Sequence, residues 1–377
     1  MDTRHAAKDR QKRTGAILIG TYTTPSSGDG SRSKGIYRVR ARLNSQGQIE
    51  LDMKAELALR AEDPSYLLPV EGGLFYVDEG LEKKEGQVVY AQMEGKKYSV
   101  KWAMPTGGEN PCHLALSQDE RWLAVANYTS GSVMIVELDG RQVMRAQLFP
   151  GHHGSVNPAR QEGPHAHFTY FVSPEELLTC DLGADEIRRF KRTQDTWEET
   201  APFARLPEGS GPRHFVRTDA WMYVICELSR EIIRLDLGGR VVDRKAILPG
   251  KAEGTAAAIR LFRERDREGR ERDVVYCTHR GKRKSGDQWA SMKVQKKGNL
   301  TRQWKMNTGR CPRDLLKVGN LVLCACQEEH AVVISAILGD LGVWAPLKKI
   351  SVSSPVCLAW EQGTELKPVE EKGGIDT

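Results

Sequence analysis

Residues 123–138, LAVANYTSGSVMIVEL, decide the fold, because they hold an apolar strand, a polar turn and a second alternating strand in one short unit. The same unit can be followed seven times along the chain. Its copies begin at Ala16, Leu74, Leu123, Leu177, Met222, Val274 and Leu321. The intervals of roughly 45 to 58 residues match the length of one propeller blade. The repeat therefore predicts seven blades arranged in a ring.

Short apolar pieces such as SYLLPV, CHLALS and RDLLKV precede most copies and would add a strand to each. We therefore predict an all-β protein, one seven-bladed β-propeller with four-stranded antiparallel blades around a central channel. A sandwich or an open barrel also contains many short strands, but neither explains a motif that recurs at one blade length. We assign residues 15–361 to the propeller, residues 1–14 to a basic tail that we expect to be disordered, and residues 362–377 to a polar tail.

The composition argues against several classes of function. The chain is 39% hydrophobic and 28% charged, with no apolar stretch long enough to span a bilayer, so we expect no membrane partner. The net charge of +6 is modest and its basic and acidic residues are interleaved, which argues against nucleic acid. The first residues are basic and no apolar segment follows them, so we predict no secretory signal and a cytoplasmic location.

The eight cysteines show no CxxC pair and no Cys/His spacing suitable for zinc, so we predict neither a metal site nor a cofactor. Cys180, Cys226, Cys277 and Cys324 lie in apolar strand runs, where a free thiol behaves as a small hydrophobe. The charged run at residues 260–273 alternates in sign, which indicates a solvated hairpin or an extended loop.

Each copy's first strand ends in a polar residue, and we expect these ends to meet at one mouth of the central channel. They are Tyr22, Glu79, Asn127 with Tyr128, Asp181, Glu227, His279 with Arg280, and Gln327. Polar residues would hydrate a channel in any case. A mixture of acid, base and guanidinium at one mouth nevertheless predicts a functional site.

Three segments contain residues that the repeat does not require. GSVNPARQEGPHAH, residues 154–167, ends in His165 and His167, which a strand would place on one face. No third ligand is spaced to complete a metal site with them, so a catalytic or substrate-binding role is favoured. GSGPRHFV (209–216) and TGRCPRDLL (308–316) each start an inner strand with an arginine, Arg213 and Arg313. Each arginine either binds a carboxylate or phosphate or braces its turn.

These segments, with GTYT (20–23), DPSYL (63–67) and PCHLALSQDERWLAVANYTSGSV (111–133), resemble the propeller lactonase family. The family includes bacterial 6-phosphogluconolactonases and fungal muconate-lactonizing enzymes, and the resemblance runs from about residue 15 to about residue 360. It implies a seven-bladed propeller and lactone chemistry. Matching the family's functional motifs implies four catalytic residues: His167 of the PHAH loop, Arg213 of GPRH, Glu227 of CEL and Arg280 of THRG.

Hydrolysis of a lactone needs a base that activates water and positive charge at the developing oxyanion. We assign the base to Glu227 or His167, and oxyanion and carboxylate stabilisation to Arg213 and Arg280. An anionic lactone such as 6-phosphogluconolactone is the expected substrate, with its anion bound by Arg313 or by the basic region around Lys282. The residues expected to bind substrate are His165, Arg313, Glu79 and Gln327.

Two other functions stay open at this point. Reversible lactonization of a muconate-type dicarboxylate would use the same arginines and a neighbouring acid or base. A non-catalytic propeller that binds a protein partner would instead leave His167, Arg213, Glu227 and Arg280 scattered. The chain has no GxSxG motif, so for hydrolysis we expect direct attack by water and no acyl-enzyme.

Overall fold

The chain forms a seven-bladed β-propeller, seen in a computed structural model that describes residues 14–25, 30–44, 48–82, 85–248, 253–265, 268–281, 287–337, 343–344 and 348–362. Within these residues, all the strands belong to seven antiparallel sheets. One short 3-10 helix, Gln327–Glu329, lies among them. The predicted fold class is therefore confirmed.

The first three blades use the first twelve strands, and the two short strands β3 and β4 share the outermost position of the first blade. The first blade has β1 (Thr14–Thr21), β2 (Gly35–Leu43), β3 (Ile49–Leu51) and β4 (Glu56–Arg60). The second has β5 (Leu67–Val70), β6 (Gly73–Asp78), β7 (Gln87–Glu94) and β8 (Lys97–Pro105). The third has β9 (Pro111–Leu116), β10 (Trp122–Asn127), β11 (Val133–Asp139) and β12 (Gln142–Phe149).

The fourth to seventh blades continue the same order from the channel outwards. The fourth has β13 (Ala166–Ser173), β14 (Glu176–Asp181), β15 (Glu186–Thr193), β16 (Thr196–Glu199) and β17 (Ala204–Arg205). The fifth has β18 (Pro212–Arg217), β19 (Met222–Cys226), β20 (Glu231–Leu235) and β21 (Val241–Ala246). The sixth has β22 (Gly254–Arg265), β23 (Glu271–Gly281), β24 (Gln288–Val294) and β25 (Leu300–Asn307). The seventh has β26 (Pro312–Val318), β27 (Leu321–Cys326), β28 (Ala331–Ile337), β29 (Val343–Trp344) and β30 (Lys349–Ser351).

The two ends of the propeller share one sheet, which closes the ring. The last strand, β31 (Pro355–Trp360), is the innermost strand of the first blade and pairs antiparallel with β1, with Leu18 opposite Ala359. Asp63 adds a link from the second blade, because its carboxylate accepts the backbone N–H groups of Thr23 and Thr24 at 2.8 and 3.1 Å. The first copy of the repeat thus receives its inner strand from the end of the chain.

Buried apolar side chains lie between neighbouring blades in seven clusters, one for each pair of adjacent blades. Phe75 of the second blade, for example, packs in the same cluster as Leu123 of the third. A strand covered on both faces needs apolar residues throughout rather than at alternate positions. This explains the uninterrupted apolar runs of the repeat, since every residue of β10 and β19 is buried.

Each predicted repeat start lies inside the second strand of a blade. The charged run at residues 260–273 lies on two paired strands, as expected for a hairpin rather than an extended loop, since β22 and β23 pair as far as Arg265 opposite Glu271. The four cysteines assigned to strands are buried there. Residues 1–13 and 363–377, nearly all of the two predicted tails, lie outside the described residues. Within the described part of the chain, no helix has the length and apolar composition needed to cross a membrane.

Candidate active site

The topology brings the predicted site residues to one mouth of the channel. In each blade the innermost strand begins where the antiparallel second strand ends, as Ala166 opposite Asp181 and Pro212 opposite Cys226 illustrate. Side chains from inner-strand starts and second-strand ends therefore share this mouth. All eight predicted residues lie at such positions or in the loop next to them: Glu79, His165, His167, Arg213, Glu227, Arg280, Arg313 and Gln327.

The turn before β18 is fixed by one buried carboxylate. Asp185 accepts the backbone N–H groups of Gly209 and Gly211 at 2.8 and 2.7 Å, and the hydroxyl of Ser155 donates to it at 2.7 Å. Both glycines have positive φ angles, of 76° and 62°, which side chains with a Cβ adopt only with strain. The backbone N–H of Glu227 donates to the Gly211 carbonyl at 2.7 Å. Asp185 therefore sets the positions of the segment that carries Arg213 and of Glu227.

The carboxylate of Glu227 is the centre of the mouth. Its Oε1 atom lies 2.7 Å from Arg160 Nη2 and 2.9 Å from Arg280 Nη2. Its Oε2 atom lies 3.4 Å from Arg213 Nη1. Only 2% of Glu227 is exposed, so its charge is compensated by guanidinium groups rather than by water.

Arg213 connects this carboxylate to the predicted histidine. Its Nε donates to the Ala257 carbonyl at 3.0 Å. A bulge in β22 leaves this carbonyl group without a partner in the strand ladder. Its Nη1 contacts Nε2 of His167. A guanidinium only donates hydrogen bonds, so Nε2 is the acceptor and the proton of the neutral ring is on Nδ1. Nδ1 lies 3.8 Å from the Cys112 sulfur.

Burial and charge set the protonation states of this group. Burial alone would raise the pKa of Glu227, but Arg280, Arg213 and Arg160 together hold that pKa well below its usual range. Burial, and then the charge of Arg213, lower the pKa of His167 well below its usual value. Burial lowers the pKa of Arg213 to about 10, which leaves it protonated at neutral pH. The mouth therefore holds a carboxylate, a neutral imidazole and charged guanidiniums.

A second group of side chains lies on the other side of the mouth. The hydroxyl of Tyr22 donates to Glu79 at 3.2 Å, and the guanidinium of Arg313 lies 5.2 Å from the centre of the Tyr22 ring. Arg313 also donates to the side-chain oxygen of Gln327 at 3.3 Å. Burial raises the pKa of Glu79, although Arg313 partly opposes this effect. Burial, and then the charge of Glu79, raise the pKa of the Cys112 thiol, whose sulfur lies 3.8 Å from His167 Nδ1 in the first group.

His165 contacts Tyr128 rather than Glu227. Its ring stacks on the Tyr128 ring with centroids 4.5 Å apart, and Nδ1 lies 3.0 Å from the Tyr128 carbonyl oxygen. Its Nε2 lies 3.2 Å from Glu162. Both ring nitrogens are therefore engaged by the protein, and His165 supports the side chain of Tyr128. The Tyr128 hydroxyl in turn accepts a hydrogen bond from Arg160 at 3.2 Å.

Residues 16–360 match the family model described as "Lactonase, 7-bladed beta-propeller". The chain belongs to this lactonase family. It is 27% identical over 227 residues to the 6-phosphogluconolactonase of Bacillus subtilis, a match that covers 58% of this chain and 61% of that protein. The predicted family resemblance is confirmed.

Two solved structures support the same family assignment. A putative 6-phosphogluconolactonase from Bacteroides uniformis superposes with a TM-score of 0.77 at 25% identity, covering 93% of this chain and 100% of that one. The periplasmic gluconolactonase of Pseudomonas aeruginosa gives a TM-score of 0.74 at 25% identity, covering 92% and 99%. Proteins similar to this lactonase-family chain are thus named for two sugar lactones, one phosphorylated and one not.

Arginines outnumber carboxyl groups in the two side-chain groups around Glu227 and Glu79 of this lactonase-family propeller. Four arginines surround two carboxyl groups: Arg160, Arg213, Arg280 and Arg313 around Glu79 and Glu227. The raised pKa of Glu79 favours its neutral form, whereas Glu227 is held charged. An excess of guanidinium charge in a cleft attracts and orients anionic ligands. The site can therefore bind an anion next to a carboxylate base.

Sequence reasoning missed two residues of the site. Arg160 belongs to the 154–167 segment, but it lies in a loop outside the strand repeat that supplied most candidates. Its presence in the same 154–167 segment as His165 and His167 was the available signal. Cys112 is the second residue of β9, at the same place in its strand as Arg213 in β18. Alignment of the inner-strand starts would have found it.

Two polar strand ends expected at the mouth have structural positions instead. Asp181 accepts the backbone N–H groups of His165 and Ala184 at 2.7 and 3.1 Å, and Asn127 donates to Ser132 at 3.0 Å. Short polar side chains at strand ends often satisfy turn backbone, which the repeat pattern cannot distinguish from a site. Lys282 lies outside the described residues. Among the described residues, no group of three or more His, Cys, Asp and Glu side chains could hold a metal ion.

Proposed function

We propose that this protein hydrolyses a sugar lactone that carries an anionic group, with 6-phosphogluconolactone as the substrate. The observation that carries the proposal is the buried Glu227 carboxylate with Arg280 and Arg213 at 2.9 and 3.4 Å. Addition of water to a lactone carbonyl requires a base and positive charge side by side, and this arrangement supplies both. The 6-phosphogluconolactonase names of two similar proteins support the choice of substrate.

The reaction begins when Glu227 takes a proton from water and the water oxygen attacks the lactone carbonyl carbon. The carbonyl oxygen becomes an oxyanion, which Arg213 and Arg280 stabilise through their N–H groups. The bond between the carbonyl carbon and the ring oxygen then breaks. The ring oxygen takes up the proton held by Glu227 and becomes a hydroxyl, and the carboxylic acid product loses its proton to solvent.

Glu227 rather than His167 is the base in this proposal. The lone pair of His167 Nε2 already faces Arg213, so it cannot accept a proton from water without losing that contact. Glu227 Oε2 has the longer 3.4 Å contact with the same guanidinium and is the freer acceptor. We assign to His167 the orientation of Arg213.

The second group at the mouth binds the rest of the substrate. Burial raises the pKa of Glu79 and so favours its protonated form, which can donate a hydrogen bond to a sugar oxygen. Arg313 supplies further donors, and Gln327 holds its guanidinium by accepting a hydrogen bond at 3.3 Å. His165 contributes indirectly, by holding Tyr128.

Reversible lactonization of a muconate-type dicarboxylate would use the same positive charge, so it remains the second candidate. A non-catalytic role as a protein-binding propeller predicts scattered positions for the four catalytic candidates. Their contact geometry around Glu227 favours an enzyme.

The test is turnover by the purified protein, with the spontaneous hydrolysis of the lactone subtracted. We expect hydrolysis of 6-phosphogluconolactone and no reaction with carboxymuconate. Turnover of carboxymuconate alone would favour lactonization and overturn hydrolysis. Turnover of neither compound would overturn both and favour the protein-binding role.

We also propose that the protein acts in the cytoplasm, where a phosphorylated sugar lactone would be formed. The similar Pseudomonas aeruginosa protein is named periplasmic, so at least one similar protein lies outside the cytoplasm. Fractionation of cells that express the protein at its natural level would test this. Recovery outside the cytoplasm would contradict the proposed location.

A further inference from the structure

Arg160 differs from the other arginines that contact Glu227. Arg213 and Arg280 also donate to backbone carbonyls of β22, those of Ala257 and Ala256 at 3.0 and 3.2 Å. Arg160 contacts only side chains in the described part of the chain, Glu227 and the Tyr128 hydroxyl. Two arginines are thus fixed to the blade, whereas the third is held by contacts that a ligand can replace.

Exposure separates Arg160 from the same two arginines. Its side chain is 39% exposed, against 6% for Arg213 and 17% for Arg280. It therefore covers Glu227 from the solvent side of the mouth. A ligand that enters from solvent meets this guanidinium before it reaches the carboxylate.

The loop that carries Arg160 is anchored on both sides of the residue. The Gln161 side chain donates to the Leu182 carbonyl at 3.0 Å, and Ser155 donates to Asp185 at 2.7 Å. The backbone N–H of Arg160 donates to the Asn157 carbonyl at 3.2 Å. The backbone is held in place, so a change of partner at Arg160 needs only rotation of a long side chain.

The charge balance around Glu227 favours a change of partner for the Arg160 side chain. Glu227 carries one negative charge and already contacts the guanidiniums of Arg213 and Arg280, so Arg160 adds a third positive charge to a compensated carboxylate. A phosphate group brings up to two negative charges and several acceptor oxygens. It is a better partner for Arg160 than a shared carboxylate.

We propose that Arg160 is a specificity-determining residue, which leaves Glu227 when substrate enters and binds the phosphate group of the lactone. This inference rests on the proposed lactonase function and deepens it. The exchange has a second effect, because it removes one of the cations that hold Glu227 in its weakly basic state. Binding of a phosphorylated lactone therefore makes Glu227 a stronger base, whereas a neutral lactone leaves Arg160 in place.

The experiment compares 6-phosphogluconolactone with glucono-1,5-lactone, which has the same ring and no phosphate. Both are assayed with the wild-type protein, with Arg160→Gln and with Arg160→Lys. The control is Arg240→Gln, since Arg240 lies on an exposed turn and its guanidinium pairs with Asp236 at 3.1 Å. Thermal midpoints of all variants are measured alongside the kinetics.

Loss of a charge-assisted contact to phosphate should lower kcat/KM of Arg160→Gln for the phosphorylated lactone by about 10- to 100-fold. For glucono-1,5-lactone, which leaves Arg160 on Glu227 in the wild type, we expect kcat/KM of Arg160→Gln to rise rather than fall, because the substitution removes one of the cations that weaken Glu227 as a base. Arg160→Lys should recover part of the loss, because it keeps the charge without the forked geometry. Arg240→Gln should behave as wild type with both substrates.

An equal loss of activity on both lactones in Arg160→Gln would overturn the inference, since Arg160 would then only shape the site. An unchanged preference for the phosphorylated lactone would overturn it as well. Both results leave the proposed hydrolase intact. Failure of the wild-type protein to hydrolyse either lactone would instead overturn the proposed function, and the role of Arg160 with it.

Discussion

Replacement of Glu227 by glutamine tests the centre of the proposed site. The substitution keeps the size of the side chain but removes the charge that Arg213 and Arg280 surround. Without the Glu227 carboxylate, no other group among the described residues lies beside both Arg213 and Arg280 to accept the proton of the attacking water. Loss of a general base typically lowers the rate about 10²- to 10⁴-fold, which is the expected loss in kcat.

The same substitution should destabilise the fold. Removing one partner of a buried ion pair costs about 3–5 kcal/mol, because the remaining charge is left uncompensated. Arg213 and Arg280 account for this cost, since Arg160 is 39% exposed and can turn to water. The folded-state pKa of Glu227 is depressed, so its stabilisation is present above its unfolded pKa of about 4.3 and declines as the pH falls towards the folded value. The stability difference between wild type and variant should therefore shrink in acid.

Glu361 offers a matched control for this loss of stability. It is 5% exposed and accepts hydrogen bonds from Arg38 Nε at 2.9 Å and the Tyr98 hydroxyl at 2.8 Å. It follows β31 at the end of the channel opposite the mouth. Glu361→Gln should lower the unfolding free energy by a similar amount and leave kcat/KM unchanged.

The assay is steady-state hydrolysis of 6-phosphogluconolactone at a temperature where all three proteins are folded by circular dichroism. Wild-type kcat in a folded Glu227→Gln protein would refute the assignment of Glu227 as the base. An equal loss of activity in Glu361→Gln would show that impaired folding explains both variants.

Three further predictions follow from the same contacts. Arg213→Ala should lower kcat about 10²- to 10³-fold, because the oxyanion loses one of its donors. It should also lower the thermal midpoint, because the Ala257 carbonyl and His167 lose their hydrogen-bond partner. Activity within tenfold of wild type would contradict the proposed role of Arg213. Glu79→Gln should become more stable relative to the wild type as the pH rises. The folded-state pKa of Glu79 is raised, so the wild type loses unfolding free energy as the pH rises from the unfolded pKa towards the folded one. Chemical denaturation at acid and neutral pH measures the difference between the two proteins, and a constant difference would argue against a raised pKa. In Asp185→Asn the asparagine can adopt the positive φ of 55°, but its amide group places a donor where Asp185 accepts hydrogen bonds from Gly209, Gly211 and Ser155. The turn that carries Arg213 should shift, so kcat should fall about 10- to 100-fold with little change in KM. A lower thermal midpoint with unchanged kcat would limit Asp185 to a structural role.

The fold was predictable because each blade repeats one local pattern. The apolar runs that start at Leu123 and Met222 correspond to strands buried on both faces, so their composition records their environment directly. The closure of the ring was not predictable in the same way. The pairing of β31 with β1 joins segments from the two ends of the propeller, and no local pattern encodes which strand a distant segment will join.

The candidate site was accessible from the sequence to the extent that its residues occupy repeated positions. Arg213 and Glu227 lie at a strand start and after a strand end, and the structure brings them into contact. Arg160 reaches the same carboxylate from a loop, where no period assigns a direction to a side chain. Asp181 shows the reverse error, because its polar side chain at a strand end serves the backbone of the turn. The catalytic and binding roles of all these residues remain predictions.

A crystal structure with 6-phosphogluconate, the product of the proposed reaction, would show directly whether the mouth is the active site. We expect the carboxylate of this product within hydrogen-bond distance of Arg213 or Arg280, with its phosphate against Arg160. Binding at another surface, such as the basic pocket lined by Arg272, Lys293 and Lys297, with the mouth left empty, would contradict the proposed site.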